Sequence, residues 1–438
     1  MCMNWADNGY HLPNYRAQAK VCFTNTPSRT YTRAPGVVQS ALATSVIVER
    51  VAMELGMDIE TVQHKNLLQN GDKTIIGQEI QDSTLEQCWQ TLLQRSNFKA
   101  RQSQVKQFNV DNLWRKRGIA IEPVKYGIEW AGYDAGVQLG VFRADGSVAV
   151  THSASEIGQG VNTKVAQTVA TALNLPLDMV RILVTSTDKL ANGGNTGGSA
   201  TSEVCCQAAI LACEKLLARL NVSADPSRTV AQWVELVQGT PCDVSMNVEG
   251  WYSPTQNPNG EHFQYYVWGA CVSEVELDVL SGQVHTLSSE ILYDCGLSLN
   301  PDVDIGQIEG GFVMGLGYIC QERVQYDEQG LLDSVGTWEY KPPLAQDIPS
   351  VLNVTLLANS PNRHGILRSK AVGEPSFVLS NSIYFGIKTA IMSARKDQEE
   401  GTRHRGSETS FVDIPVPMTI DVRQQACLVD PSRFVMPN

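Results

Sequence analysis

The amino-acid sequence predicts an α+β fold, in which mixed layers of helices and strands pack together. Residues up to about position 110 carry mainly helical periodicity, with apolar side chains three or four positions apart. From position 119 onward, alternating apolar and polar residues indicate strands joined by short glycine turns, and helical segments recur between them. The chain has 438 residues, 42% hydrophobic and 18% charged, which is enough for a sizeable buried core.

The helical first part predicts three helices. Apolar residues at helical spacing indicate a helix over residues 37–55. Asp58 is a good N-cap residue for a second helix that continues to Leu67. A third helix fits residues 84–94.

The second part predicts strands that alternate with helices. Asp145-Gly146 and Ser281-Gly282 are the turns of two predicted hairpins. The predicted strands cover residues 136–142, 147–151, 180–184, 265–279, 284–293 and 352–357. The predicted helices cover residues 161–173, 201–220, a segment from about position 304, and 375–394. The charged stretch 396–407 predicts a loop.

The charge balance and the apolar pattern exclude several classes of protein. The chain has 34 basic and 46 acidic residues, a formal charge of −12, so it lacks the basic surface that nucleic acid or an anionic membrane requires. No run of about 18 apolar residues predicts a membrane span, and the first residues do not have the pattern of a signal peptide. We therefore expect a cytoplasmic protein that binds neither nucleic acid nor membranes.

The cysteines and histidines do not predict a metal site built by the protein. The eleven cysteines are scattered, without a C-x-x-C pair, and the seven histidines are equally dispersed. This pattern fits neither a disulfide framework nor the grouped ligands of a zinc or iron–sulfur site.

Four glycine-rich turns are the main candidates for function. They cover residues 156–160, 193–199, 306–311 and 370–375. Turns of this kind leave backbone N–H groups at the start of a helix free to bind an anion. In the last turn, Glu374 precedes Pro375, a residue favoured at the first position of a helix. Together the turns suggest a buried, anion-carrying cofactor that faces a general base.

Each of these features taken alone has a simpler interpretation. Glu374 could cap its own helix, because acidic residues are favoured there by the helix dipole. Each glycine loop could be a plain turn, Gln307 an exposed polar residue, and Arg33 one half of a surface ion pair.

Five motifs in a fixed order give the chain a resemblance to a known family. They are Arg-Ala-Pro-Gly from Arg33, Glu-Ile-Gly-Gln-Gly from Glu156, Asp-Ile-Gly-Gln-Ile-Glu-Gly from Asp304, Tyr-Lys-Pro-Pro from Tyr340, and Lys-Ala-Val-Gly-Glu-Pro from Lys370. In order and spacing, the chain resembles the xanthine dehydrogenase and aldehyde oxidase family of molybdenum hydroxylases, from about residue 7 to 395. The resemblance implies the second half of a molybdopterin-binding region, with a molybdenum–molybdopterin cofactor.

The same resemblance implies three segments and a set of site residues. Residues 1–110 would be the helix-rich end of the first molybdenum-binding half and a connector, 111–395 the second molybdopterin-binding domain, and 396–438 a charged loop and tail. Glu374 would be the active-site base, and Arg33 and Gly198 would lie beside the metal. The implied cofactor-binding residues are Arg33, Ile157, Gly158, Gln159, Gly198, Ser199, Ala200, Thr201, Gln307 and Gly373.

Two positions bear on the substrate. Xanthine-specific members of the family carry a stacking phenylalanine where this chain has Pro35, whereas Trp130 falls at the position of the second stacking ring. Loss of one stacking partner weakens the case for a purine. The resemblance therefore implies an aldehyde oxidase type, which converts an aldehyde or N-heterocycle, and leaves a xanthine dehydrogenase fragment or an inactive remnant as alternatives.

The resemblance also implies partners. Long members of the family begin with [2Fe-2S] domains, an FAD domain and a first molybdenum-binding half, and none of these appears in the 438 residues. We expect the iron–sulfur and flavin groups in upstream domains or a partner chain, a homodimer when the protein is complete, and no catalysis from this chain alone.

Overall fold

Within the residues that the structure describes, the fold contains two four-stranded sheets and the helices that cover them. The computed structural model describes residues 2–28, 32–401 and 411–429. The helices are α1 Val37–Glu54, α2 Ile59–Lys65, α3 Leu85–Arg95, α4 Phe98–Asp111, α5 Val161–Leu173, α6 Thr201–Arg219, α7 Val230–Gly239, α8 Pro301–Cys320, α9 Pro375–Leu379, α10 Asn381–Gly401 and α11 Ile420–Ala426. The strands are β1 Arg115–Ile128, β2 Ala135–Val141, β3 Val148–His152, β4 Val180–Ile182, β5 Asn247–Tyr252, β6 Tyr265–Asp278, β7 Val284–Asp294 and β8 Val351–Leu356.

The larger sheet has the strand order β1-β6-β7-β8. β1 pairs with β6 and β6 with β7 in antiparallel register, whereas β8 joins β7 in parallel. Helix α10 crosses β1 so closely that a Cβ atom at Gly118 would lie 1.9 Å from the carbonyl oxygen of Gly386. Only glycine at position 118 permits this packing.

The smaller sheet has the strand order β4-β3-β2-β5. β2 pairs antiparallel with both β3 and β5, and the short edge strand β4 runs parallel to β3. Helices α5 and α6 pack together and cover this sheet, and α6 lies against β5. Both helices begin at predicted glycine turns, so this layer positions two of the candidate loops.

The segment before Glu374 is fixed to the larger sheet. Lys370 Nζ lies 2.7 Å from Asp294 Oδ2 in a buried ion pair at the end of β7. The backbone N–H of Ala371 donates to the hydroxyl of Tyr265, and the hydroxyl of Tyr293 donates to the carbonyl of Ala371. A buried pair with its hydrogen bonds satisfied holds one geometry, so the backbone that leads to position 374 is fixed.

Most predicted elements are confirmed, and one is wrong in part. The predicted helices over 37–55, 161–173 and 201–220 correspond to α1, α5 and α6 within one or two residues, and the predicted strands occur as well. The sequence reasoning gave no bounds for β1 and missed α4, α7, β5 and α11. The loop predicted over 396–407 is wrong at its start, because α10 continues to Gly401; residues 402–410 lie outside the described residues.

Candidate active site

Three distant segments of the chain meet at the carboxylate of Glu374. This residue directly precedes α9 and is 9% exposed. Its Oε1 accepts a hydrogen bond from the backbone N–H of Ala34 at 3.1 Å. Its Oε2 accepts bonds from the hydroxyls of Tyr126 and Ser199, each at 3.0 Å. The side chain makes no bond that caps its own helix, so the simpler interpretation of this carboxylate does not hold.

The guanidinium of Arg33 joins the Glu374 segment to helix α8. Its Nε donates to the carbonyl of Gly373. Its Nη2 donates to the carbonyl and to the side-chain oxygen of Gln307, at 3.0 and 3.2 Å. Burial lowers the pKa of Arg33 from its ordinary value, although the nearby carboxylate of Glu374 opposes that change. These partners are neutral groups of the site, so Arg33 is not half of a surface ion pair.

Gln307 connects α8 with the first glycine loop. Its Nε2 donates to the carbonyl of Gly158 at 2.8 Å, while its Oε1 accepts from Arg33. The side chain is engaged at both ends, so it is not a freely exposed polar group. The amide therefore has a fixed orientation at the border of the site.

The loop 156–160 differs from its expected form. The carboxylate of Glu156 accepts hydrogen bonds from the backbone N–H groups of Gly158, Gly160 and Asn162 at 2.9–3.1 Å. The side chain of Gln159 is also engaged, because its Nε2 donates to the carbonyl of Ser155 and its Oε1 accepts from the Ile157 N–H. The N–H groups that were expected to be free for an anion here are thus occupied by the chain's own carboxylate.

The loop 193–199 instead reaches the central carboxylate. Gly198 and Ser199 both have a positive φ, 61° and 55°, which turns the Ser199 hydroxyl toward Glu374. A Cβ atom at Gly198 would lie 1.9 Å from the hydroxyl oxygen of Tyr133. The hydroxyl of Thr201 accepts a bond from the Gly197 N–H and closes the turn at the start of α6.

These groups surround a cavity of about 560 Å³. A volume of this size is ordinary for a site that holds a small molecule. The predicted residues that line it are Arg33, Pro35, Ile157, Gln159, Gly198, Ser199, Thr201, Gln307, Gly373 and Glu374. Gly158, Ala200 and Trp130 are not among the lining residues. Gly158 contributes only its carbonyl to Gln307, and Ala200 is fully buried directly before α6.

Trp130 lies behind the cavity wall. Its ring is 4% exposed, and its indole N–H donates to Glu203 Oε2 at 3.0 Å. Glu203 itself lines the cavity and also accepts a 2.6 Å bond from the hydroxyl of Tyr265. The structure thus places a carboxyl group at the wall, with the indole ring behind it.

Sequence reasoning missed several residues of the site. Tyr126, Tyr133 and Glu203 were not predicted, although all three line the cavity. Tyr126 lies inside a strand, where nothing in the local pattern marks its hydroxyl. Glu203 lies on the first turn of α6, directly after the predicted glycine loop, and this position could have marked it as a neighbour of the site.

The family is identified by comparison with known proteins. Residues 91–349 match one model of a molybdopterin cofactor-binding domain, and residues 1–67 match another. The chain belongs to the molybdopterin cofactor-binding domain family. Xanthine dehydrogenase of Drosophila subobscura is 40% identical over 403 residues, covering 89% of this chain and 30% of the relative. Xanthine dehydrogenase 1 of Arabidopsis thaliana is 39% identical over 409 residues, covering 90% and 30%.

The chain therefore spans about 30% of the length of the curated relatives it matches. It corresponds to the C-terminal portion of the xanthine dehydrogenase and aldehyde oxidoreductase family. The aldehyde oxidoreductase of Desulfovibrio desulfuricans ATCC 27774 superposes with a TM-score of 0.77, at 22% identity, over 97% of this chain and 44% of that one. At that identity the likeness shows the fold alone.

The residues of the cavity fit the cofactor that the family name implies. The wall presents the guanidinium of Arg33 and the amide of Gln307, which suit an anionic organic group. The tight turn at Gly198 would be blocked by any larger side chain.

Across the parts of the chain that the structure describes, no group of three or more His, Cys, Asp or Glu residues could hold a metal ion. The described helices also include none long and apolar enough to cross a membrane.

Proposed function

We propose that this chain forms the cofactor-holding part of a molybdenum hydroxylase that oxidises an aldehyde to a carboxylic acid, with Glu374 as its base. The observation that carries the proposal is the convergence of Ala34, Tyr126 and Ser199 on one buried carboxylate at the edge of a cavity. Three donors fix the direction in which the carboxylate faces. A base must be held in this way to accept a proton in a defined geometry.

The residues available for the cofactor are those on the cavity wall around Glu374. Arg33, Gln307, Ser199 and Thr201 would hold it, together with the backbone around Gly198. Oxidation of an aldehyde by water yields the acid, two protons and two electrons, and the molybdenum cofactor supplies the redox chemistry when bound.

Glu374 Oε1 is the atom suited to take a proton in this reaction. Oε2 already accepts two hydrogen bonds, from Tyr126 and Ser199, whereas Oε1 accepts only one. Oε1 therefore keeps a free lone pair. Burial and the Glu374 carboxylate raise the pKa of Tyr126 well above its ordinary value, so its hydroxyl stays protonated and continues to donate to Oε2.

The shape of the wall favours an aldehyde over a purine. A ring held between two aromatic faces would need stacking side chains at positions 35 and 130. Pro35 lines the cavity without a ring, and Trp130 lies behind Glu203 with its indole N–H engaged. The aromatic residues that do line the cavity, Trp5, Tyr126 and Tyr133, come from other positions.

The proposed reaction requires partners. The two electrons need an exit, which we assign to [2Fe-2S] and FAD groups on other domains or on a partner chain, since the curated relatives are far longer than this chain. We also propose that the complete protein is a cytoplasmic homodimer and that this chain alone does not catalyse the reaction.

A Glu374→Gln variant tests the role of the base. Glutamine is similar in size and can still accept from Ala34, but it cannot take up the proton. In the enzyme assembled with its electron-transfer partner, we expect unchanged molybdenum and pterin content and at least a ~1000-fold loss of aldehyde turnover, about 4 kcal/mol in activation free energy. Metal analysis, pterin fluorescence after release, and steady-state kinetics give the three measurements.

Glu309→Gln provides the matched control. Glu309 is a partly buried glutamate of α8 outside the cavity lining, so this variant should keep full turnover. Normal turnover by Glu374→Gln would show that another group is the base. A wild-type protein that contains neither molybdenum nor pterin would instead support an inactive remnant.

Purine hydroxylation is the second candidate function. The specific observation in its favour is that the curated relatives at about 40% identity are named xanthine dehydrogenases. Rates on xanthine and on an aromatic aldehyde, measured with the same assembled enzyme, distinguish the two. A higher kcat/KM for xanthine would contradict the aldehyde proposal.

A further inference from the structure

A third carboxyl group on the cavity wall has no partner among the residues that the structure describes. Glu129 lines the cavity together with Glu374 and Glu203, and its side chain is partly exposed. No described residue donates a hydrogen bond to its carboxylate or forms an ion pair with it. Because the side chain is partly exposed at the wall, a ligand inside the cavity can reach it.

The backbone that carries Glu129 is fixed on both sides. Before it, the carbonyl of Ile128 accepts a hydrogen bond from the N–H of Gln264 at 2.7 Å. After it, the N–H of Trp130 donates to Oδ1 of Asn257 at 2.7 Å. Asn257 is itself buried, and its amide donates to two carbonyl groups of its own loop. The chain thus presents an unpaired carboxylate from a fixed position at the end of β1.

The cationic side chains on the same wall are engaged elsewhere. They are Arg33, Lys164 and Lys370. Lys164 Nζ lies 2.9 Å from a carboxylate oxygen of Asp304. Lys370 Nζ lies 2.7 Å from a carboxylate oxygen of Asp294. The guanidinium of Arg33 lies near the Glu374 carboxylate and donates to neutral groups. None of these three cations is bonded to Glu129.

A ligand that fills the cavity removes water from this carboxylate. A carboxylate that loses water without gaining a donor or a cation is costly. A positive charge on the ligand beside Glu129 offsets that cost, whereas a neutral ligand of the same shape does not. The rings of Trp5 and Tyr133 also line the cavity, and the faces of aromatic rings attract cations. The wall at Glu129 therefore favours a cationic ligand over a neutral one.

We propose that Glu129 selects the substrate of this site, and that the substrate is an aldehyde that carries a positively charged nitrogen. This inference rests on the proposed function and deepens it, because it names the substrate class of the same cavity. Tyr126, which bonds to Glu374, precedes Glu129 by three residues, a rise of about 10 Å along a strand. A planar aromatic ring between the aldehyde and the cation bridges a separation of this order.

An isosteric pair of ligands tests the inference by binding alone. 4-Acetyl-N,N,N-trimethylanilinium carries a permanent positive charge where 4-tert-butylacetophenone has a neutral carbon, and neither has an aldehyde hydrogen to lose. Calorimetry with the full chain at pH 8 gives both dissociation constants. We expect Glu129→Gln to bind the cation about fivefold or more weakly than wild type does. The neutral ketone should bind to the variant as tightly as to wild type, or more tightly.

Salt provides a readout that a merely structural role of Glu129 would not change. Raising the ionic strength from about 0.05 M to about 0.5 M should weaken binding of the cation to wild type, because ions screen a partly exposed pair. The effect on Glu129→Gln should be smaller. Glu309→Gln is the matched control, because Glu309 is also a partly buried glutamate but lies outside the cavity lining. This control should keep the wild-type affinity for the cation and its salt dependence.

Three results would overturn the inference. They are an equal loss of affinity for both ketones in Glu129→Gln, an unchanged affinity for the cation in that variant, and no measurable binding of either ketone to wild type. The same comparison in the assembled enzyme uses 4-(trimethylammonio)benzaldehyde and 4-tert-butylbenzaldehyde. There, Glu129→Gln should lower kcat/KM for the cationic aldehyde alone; equal values for the variant and wild type would show that a cation of the partner pairs with Glu129, and would also overturn it.

The binding measurements are independent of turnover, because the two ketones are not oxidised. An assembled wild-type enzyme that oxidises no aldehyde, with the ligand preference intact in the chain, would count against the proposed function. That result would leave the cation-binding role of Glu129 standing.

Discussion

Glu374 and Glu203 are two carboxyl groups in one cavity, and their surroundings differ. Both of the Glu374 oxygens accept hydrogen bonds, from one backbone N–H and two hydroxyls. In Glu203 one oxygen accepts from both the Trp130 indole N–H and the Tyr265 hydroxyl, and within the described residues the other oxygen is buried with no side-chain donor. Burial raises the pKa of Glu203 to about 7.

The difference shows how one cavity can orient one carboxyl group and raise the pKa of another. Donors that surround a carboxylate stabilise its charged form, whereas burial without donors stabilises the neutral form. A carboxylate whose two oxygens both accept hydrogen bonds is oriented toward one position. A buried carboxyl group whose bonds are confined to one oxygen can change its charge near neutral pH.

The largest predicted effect on stability is its dependence on pH, which Glu203 changes through its raised pKa. Glu203 has an ordinary pKa of 4.5 and a folded pKa of about 7, so the folded state binds more protons between these values. Its contribution is fully present below pH 4.5 and is lost as the pH rises to 7. Glu203→Gln should therefore gain about 2.5 kcal/mol in unfolding free energy relative to wild type on going from pH 5 to pH 8.

Glu122 provides the comparison outside the cavity. Its carboxyl group is bonded to Ser45 and Gln63, and burial raises its pKa to about 8, with the nearby charge of Glu49 acting in the same direction. Relative to wild type, Glu122→Gln should also gain unfolding free energy as the pH rises. The gain should extend to slightly higher pH, because the pKa of Glu122 is about 8. Urea titrations at pH 5 and 8 measure both variants, and parallel curves for wild type and Glu203→Gln would refute the raised pKa.

A second prediction concerns the loop 193–199, which bonds to Glu374 and precedes the helix that carries Glu203. Gly198 precedes Ser199, which bonds to Glu374, and the helix that carries Glu203 starts three residues later. Gly198→Ala adds a Cβ atom in a positive-φ conformation and 1.9 Å from the Tyr133 hydroxyl. We expect a loss of about 2 kcal/mol in unfolding free energy.

Gly197→Ala is the matched control in the same turn. A Cβ atom there would meet only the side-chain amide of Asn195 at 3.1 Å, and that amide can move. Thermal unfolding should therefore place this variant within about 0.5 kcal/mol of wild type. Equal destabilisation by both variants would mean that the turn is sensitive to any substitution and not to the contact with Tyr133.

The sequence predicted the fold better than the details of the site. Helices such as α5 and α6 could be predicted because an apolar face at helical spacing and a glycine turn agree on the same boundaries. β5 was missed because Gly250 and the exposed aromatic residues of the strand give only weak alternation of apolar and polar side chains. The same glycine leaves the space in which helix α6 packs. Its partner strand lies more than a hundred residues away, which no local pattern reveals.

The residues of the site were likewise predicted only in part. The motifs predicted Glu374, Arg33, Gln307 and Ser199, and the structure brings them together. They did not predict that Glu156 would occupy the N–H groups of its own loop, because an acid two residues before a glycine turn can point either way. Nor could they show that Trp130 lies behind Glu203, since that depends on a contact between residues 73 positions apart in the chain.

The smallest predicted effects come from the two hydroxyls that bond to Glu374. Ser199→Ala and Tyr126→Phe each remove one donor and leave the carboxylate with two. Each should lower the unfolding free energy by about 1 kcal/mol at pH 8, and Tyr126→Phe should cost more because its hydroxyl is more deeply buried. Combining each variant with Glu374→Gln in a double-mutant cycle isolates the pairwise term. In the Glu374→Gln background the amide oxygen stays with the Ala34 N–H and the NH₂ group faces Ser199, so the Ser199 hydroxyl loses its carboxylate acceptor and should matter less. A coupling energy of zero would show that the bond from Ser199 to Glu374 does not stabilise the fold.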